Sequence, residues 1–306
     1  MKVAQYIAFG DSSVIQLNDI DQPQPKDHDV LIKVAATTVN PIDMKVRSGA
    51  MQKMMPVSLP FTPGSDVGGT IAAVGANVNR LKVGDKIFAT TFGSTYAGYV
   101  VLKEEQVAQI PNNVSLDEAA ALAVPLVTSY SFLVEGGKLT AGQKVLIQGA
   151  AGGVGAVMVQ MAKALGAYVI GTASGDGVAL VKSFGADEVI DYKIHDFTQL
   201  VKDVDLVIDL VGGETQAKSF SVIKPGGKLL SAVMPPSAAL AEENQVEAKF
   251  ISSAPSYKKL EFGAKLVEDG KIKIQIAHTF KLEDAASAQD LLSAGGVNGK
   301  IVLEVE

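Results

Sequence analysis

Along the first 110 residues, apolar positions fall in short runs rich in valine and isoleucine, several of them alternating with polar positions. Val30–Val34, Gly69–Val74 and Lys86–Ala89 each have the length and composition of a β-strand. Proline, glycine, asparagine and aspartate punctuate the runs at Pro23–Pro25, Pro60–Gly64, Gly84–Asp85 and Pro111–Asn113. The pattern predicts a compact, antiparallel, barrel-like first domain.

Near Ser115 the character changes. Ser115 and Glu118 have the spacing of a capping box, and the apolar run Ala119–Val124 behind them predicts a helix. Apolar strands and helical segments then alternate. The expected strands are Lys144–Gln148, Tyr168–Thr172, Glu188–Ile190, Asp205–Leu210 and Gly227–Ala232, with Phe250–Ser252 as a sixth. The expected helices are Gly155–Leu165, Gly177–Phe184, Phe197–Val201 and Glu214–Ile223. Near-continuous apolar strands in a β-α-β-α order predict an α/β, doubly wound parallel sheet covered on both faces. Leu282–Leu292 reads as a further amphipathic helix and Lys300–Val305 as a final strand. The length suggests about two domains, with the change of character near Ser115 between them. Pro235–Pro236 reads as a loop inside the second.

Chemistry enters at the end of the strand Lys144–Gln148. The turn Gly149-Ala-Ala-Gly152-Gly153-Val154-Gly155 follows it and leads into the helix. Glycine at 152 and 153 lets a pyrophosphate approach the backbone, and glycine at 155 lets helix and strand pack closely. Amides at the helix N-terminus then face the phosphate charge. The first glycine of the usual GxGxxG spacing is Ala150 here, and the strand–turn–helix–strand context compensates for it. The same turn also fits a close-packed corner that binds nothing. Where an NAD site carries an acid at the tip of its second strand, this chain has Ser174, with Asp176 two residues on. The missing carboxylate favours NADPH over NADH, although no Lys or Arg follows before Lys182.

Composition narrows the partners. The 306 residues carry a net charge of −6 and no basic run, which argues against nucleic acid and anionic membranes and for a small molecule. There are no cysteines and only three histidines, His28, His195 and His278, at no metal-binding spacing, so no metal site is expected. Val145–Ala162 is uncharged and near the length of a membrane span, but four glycines within seven positions break it. The first residues lack the pattern of a signal peptide, and a cytoplasmic setting is expected.

Taken in order, several motifs resemble the zinc-independent quinone oxidoreductases of the medium-chain dehydrogenase/reductase superfamily. They are Val39–Gly49 (with Asn40, Asp43 and Arg47), Pro63–Gly75, Lys82–Asp85, Leu126–Tyr130, Gly149–Gly155 and Gly299–Leu303. The resemblance implies a GroES-like β-barrel domain of residues 1–122 completed by a C-terminal return over 255–306, a Rossmann domain of residues 123–254, and a cofactor held between them. It implies Asn40 and Thr128 near the nicotinamide, and Gly152, Gly153 and Val154 at the pyrophosphate. Ser174 and Tyr192 would flank the 2′-phosphate, and Val211 would line the groove. Asn40 before Pro41 also fits a turn-shaping role, and Tyr192 a rim aromatic. Asp66 and Arg47 read as structural, charge-paired residues. Zinc-dependent relatives have Gly-His-Glu where this chain has Gly64-Ser65-Asp66.

The implied activity is NADPH-dependent hydride transfer to a quinone or an enone, with Asn40 or Lys45 polarising the carbonyl. Lys45 stands where related quinone reductases often have Tyr, and Met51 where similar enoyl thioester reductases place a catalytic Tyr. An enoyl thioester or alkenal reductase, and a non-catalytic NADPH-binding sensor or scaffold, are the alternatives. A homodimer pairing near Phe250–Ser252 is expected by the same resemblance.

Overall fold

The computed structural model describes residues 1–305, which form two compact units. The first comprises Met1–Val124, Pro255–Glu268 and Ile276–Glu306; the second comprises Pro125–Ala254 and Asp269–Gln275.

The first unit is built on a seven-stranded sheet. Its central strand, Asp29–Val39, pairs antiparallel with Asp66–Val74, Tyr99–Lys103 and Lys300–Glu304. Ile276–Lys281 adds to Lys300–Glu304 in parallel, with the helix Ala285–Ala294 lying between them in the chain. A parallel neighbour requires such a crossover, so this pair departs from the all-antiparallel expectation for local reasons. Val30, Ile32, Val67, Ile71, Ile87, Tyr96, Ile301 and Leu303 form the core of this unit. A short helix that the strand pattern does not announce, Pro41–Arg47, follows the central strand. Pro41 opens it at a position where no N–H is needed, and the Asn40 N–H donates to Asp43 Oδ2 at 2.8 Å.

The second unit holds a six-stranded, wholly parallel sheet made of Lys144–Gln148, Tyr168–Ala173, Glu188–Asp191, Val204–Asp209, Ile223–Ser231 and Glu247–Phe250. Numbered along the chain, these strands lie in the spatial order 3-2-1-4-5-6. This is the doubly wound dinucleotide-binding order, with its topological switch point between strands 1 and 4. Leu146, Ile170, Ile190, Val207 and Leu229 pack with Phe197 and Phe220 beside the sheet. The sixth strand lies earlier than Phe250–Ser252: it is Glu247–Phe250, a mostly exposed edge strand whose polar composition hides it from a hydrophobic pattern.

The capping box at Ser115 forms, with the Ser115 N–H on Glu118 Oε2 at 2.8 Å and the Glu118 N–H on Ser115 Oγ at 3.2 Å. The helix it opens, Leu116–Tyr130, runs on helically to Gly136. That stretch is long and apolar enough to cross a membrane, yet 72% of its apolar window is buried inside the protein. Asp269–Gln275, grouped by its place in the chain with the return 255–306, belongs instead to the second unit. Gln160 holds it there: its Nε2 donates to the Lys273 carbonyl at 2.9 Å, and its Oε1 accepts from the Lys273 N–H at 2.8 Å.

Candidate functional site

The glycine-rich turn sits at the carboxyl end of strand 1, beside the switch point. Gly149 has φ +74°, a left-handed conformation that favours glycine. A Cβ on Gly155 would lie 2.3 Å from the Gly149 carbonyl oxygen and 2.8 Å from Ala150 Cα, so only glycine closes this corner. A Cβ on Gly152 would meet nothing nearer than 3.6 Å; that side of the turn is open. The helix Gly153–Ala164 makes its first turn through the Ala156 N–H on the Gly152 carbonyl at 2.9 Å. The amides of Gly153, Val154 and Gly155 therefore have no acceptor within the helix. Gly152, Gly153 and Val154 are partly exposed, while Ala156–Ala162 behind them are buried. The result is an accessible cluster of donors at the positive end of a helix dipole.

Ser174 stands at the tip of strand 2, where its Oγ donates to the Tyr192 hydroxyl at 3.0 Å. The two residues lie 18 apart in the chain and are brought together because strands 2 and 3 pair in parallel. Asp176 is the first residue of the next helix, and Lys193, exposed, directly follows Tyr192. Val211 stands beyond the end of strand 4 and is half exposed; its Cγ2 would be 3.3 Å from a Cβ on Gly149. Thr128 is half-buried in the last turn of Leu116–Tyr130.

Asn40 and Lys45 belong to the first unit. The Asn40 side chain is spent on a buried polar cluster. Its Nδ2 donates to Asp66 Oδ2 at 2.8 Å and to Thr38 Oγ1 at 3.4 Å, and its Oδ1 accepts from Lys300 Nζ at 2.7 Å. Lys300 also pairs with Asp66 Oδ2 at 3.1 Å, with side chains 4% and 0% exposed. Asp66 further accepts from Thr38 Oγ1 and from the Val124 N–H. Asp66 and Arg47 are both buried; Asp66 is charge-paired as expected, with Lys300, whereas Arg47 Nη1 donates to the neutral Gln289 at 2.7 Å. Lys45, in the last turn of Pro41–Arg47, is partly exposed. In the first turn of that helix, burial above all pushes the Asp43 carboxyl up to about 7, against the opposing pull of the Asn40 N–H and Lys300.

Two family models match this chain. One is described as an alcohol dehydrogenase GroES-like domain and matches residues 26–112; the other is described as a zinc-binding dehydrogenase and matches residues 184–303. Human quinone oxidoreductase is 32% identical over 99% of this chain and 97% of its own length. The chain belongs to the quinone oxidoreductase-like members of the medium-chain dehydrogenase/reductase superfamily. Tomato 2-methylene-furan-3-one reductase is 35% identical over 99% of this chain and 79% of its own length. The crystal structure of Escherichia coli quinone oxidoreductase complexed with NADPH superposes with a TM-score of 0.91 at 25% identity, covering 99% of this chain and 100% of that one. The medium-chain family thus accounts for both units: a GroES-like barrel and a Rossmann sheet.

The zinc of the second family description does not fit these residues. Ser65 and Asp66 replace the histidine and glutamate of the zinc-dependent motif, and Asp66 is already engaged by Lys300, Asn40, Thr38 and the Val124 amide. Among the described residues no three His, Asp or Glu side chains group closely enough to share a metal ion.

Two residues at the carboxyl edge escape a reading of the sequence, Asp209 and Met234. The Asp209-Leu-Val-Gly-Gly213 segment offers one signal, an aspartate followed by glycines at a strand end, which favours a side-chain-closed turn. Nothing in the sequence marks Met234.

Proposed function

We propose that this oxidoreductase binds NADPH in its second unit and transfers hydride to a quinone or another α,β-unsaturated carbonyl. The observation that carries the reading is the open, amide-lined turn Gly149–Gly155 at the switch point of a 3-2-1-4-5-6 sheet. Gly152, Gly153 and Val154 would hold the pyrophosphate through their amides. The Ser174 and Tyr192 hydroxyls, with Lys193 next in the chain, would take the 2′-phosphate; no carboxylate occupies the Ser174 position to repel it. Val211 would line the groove, and Thr128 would meet the nicotinamide end. The NADPH bound to the Escherichia coli relative supports this choice, and the names of the human and tomato relatives support the acceptor class.

NADPH supplies the hydride when bound. The chain's own contribution is to orient donor and acceptor and to stabilise the developing enolate or hydroquinone oxygen. Asn40 is a poor donor for that oxygen, because its amide is committed to Asp66, Thr38 and Lys300. Lys45 is the better one, because its ammonium stands partly exposed in the helix beside Asn40. Stopped-flow loss of nicotinamide absorbance with quinones, simple enones and crotonyl thioester tests the reading. Turnover with a quinone or an enone is expected, and turnover with none of them contradicts it. Replacing Lys45 with Met should lower kcat/KM about 10²-fold, the effect of losing one oxyanion donor. The NADPH affinity should stay unchanged.

A cytoplasmic homodimer belongs to the same proposal. Glu247–Phe250 is a sheet-edge strand with Phe250 exposed, which favours pairing there. A monomer mass by light scattering at micromolar concentration would remove the dimer, and recovery of the native protein from the periplasm or medium would remove the location.

A further inference from the structure

Asp209 ends strand 4 with its carboxylate fully buried, and four donors converge on it. Oδ1 accepts the Val211 N–H at 3.0 Å and the Gly212 N–H at 2.7 Å. Oδ2 accepts Gln216 Nε2 at 2.9 Å and Ser231 Oγ at 2.8 Å. These partners reach two different loops. Ser231 Oγ in turn accepts the N–H groups of Val233 and Met234 at 3.2 and 3.3 Å, and Gln216 Nε2 also donates to the Met234 carbonyl at 3.2 Å. One carboxylate thereby fixes the turns that follow strands 4 and 5.

Each of those turns presents one large apolar side chain to solvent. Val211 is 49% exposed and Met234 43%, whereas Ile208 and Leu230, on the strands that lead into them, are wholly buried. The two turns meet each other, and the first also meets the glycine turn. The Gly213 N–H points at Met234 Sδ at 3.4 Å, and a Cβ on Gly212 would meet that sulfur at 3.5 Å. Val211 Cγ2 overlies Gly149. In this sheet order the adenosine end of a dinucleotide belongs over strand 2, so the strand 4 and 5 side faces its other half.

We infer that Asp209 is a positioning residue for the cofactor: it holds Val211 and Met234 as an apolar wall against the nicotinamide riboside half. The inference rests on the NADPH reading above. Asp209 touches no cofactor atom and acts through the two turns. A carboxylate can accept all four bonds, whereas an asparagine replaces one accepting oxygen with a donor and must release two of them.

The test compares wild type with Asp209→Asn, Val211→Ala, Met234→Ala and the double variant D209N/V211A. Equilibrium binding of NADPH is measured beside that of 2′,5′-ADP, which carries the adenosine end and no nicotinamide. D209N should bind NADPH roughly tenfold more weakly and 2′,5′-ADP within twofold of wild type. V211A and M234A should show the same split, and the double variant should be no weaker than the worse single one. Amide exchange in the free D209N protein should speed up at Val211 and Gly212. D209N binding NADPH like wild type overturns the inference, as does an equal loss for both ligands or additivity in the double variant. Wild type that binds 2′,5′-ADP but not NADPH overturns the inference and the cofactor reading together; normal wild-type binding with an unchanged D209N overturns the inference alone.

Discussion

Asp43 is a carboxyl placed where its charge is disfavoured, since burial raises its pKa to about 7. An unfolded chain releases that proton near pH 4. Between about pH 4 and 7 the folded protein therefore holds a proton that the unfolded protein has lost, and stability falls as pH rises through this window. The contribution is complete below pH 4 and gone above about 7, and amounts to a few kcal/mol at about 1.4 kcal/mol per unit. Asp43→Asn should remove the titration. Urea unfolding from pH 5 to 8 should then show wild type losing stability relative to the variant; parallel profiles would contradict the assignment. Asn40 shows how far a single residue is legible. Its neighbour Pro41 marks the start of a helix, but its side-chain partners Asp66 and Lys300 lie 26 and 260 residues away. No local pattern reports bonds of that range, so its amide reads as available when it is spent. Ser174 and Tyr192 were nameable as a pair only through resemblance, and the contact between them comes from strand pairing.

At the level of elements, hydrophobic pattern and glycine placement carried most of the information. Strands 1, 2 and 4 of the parallel sheet are near-continuous apolar runs because both of their faces are covered, and such runs are visible without context. The sixth strand, Glu247–Phe250, is polar because it lies at an edge. The segment Asp269–Gln275 is held by Gln160 in both directions, which only the folded chain reveals. The strand–turn–helix corner is the element on which the proposed function depends. Gly155→Ala would press a Cβ into the Gly149 carbonyl at 2.3 Å, where backbone rather than a flexible side chain must yield. The expected cost is about 1–3 kcal/mol in chemical unfolding. Because helix and turn must separate to admit the methyl group, NADPH binding should weaken as well. A G155A protein with wild-type stability and affinity would show that the corner is looser than its geometry.

For the whole molecule, similarity over 99% of the chain to human quinone oxidoreductase ties both units to one family. Net charge adds a constraint of its own. At −6 the protein repels a polyanionic cofactor at long range, so affinity must come from the local amides and hydroxyls. Buffer salt should therefore weaken NADPH binding far less than it would on a basic surface. In the proposed site the 2′-phosphate would meet two hydroxyls and Lys193 rather than an arginine. The most direct test of the central claim is a fluorescence titration of the purified protein with NADPH and, in parallel, NADH. Saturable binding with NADPH the tighter ligand is the predicted result. No binding of either, or NADH tighter by tenfold or more, would contradict it.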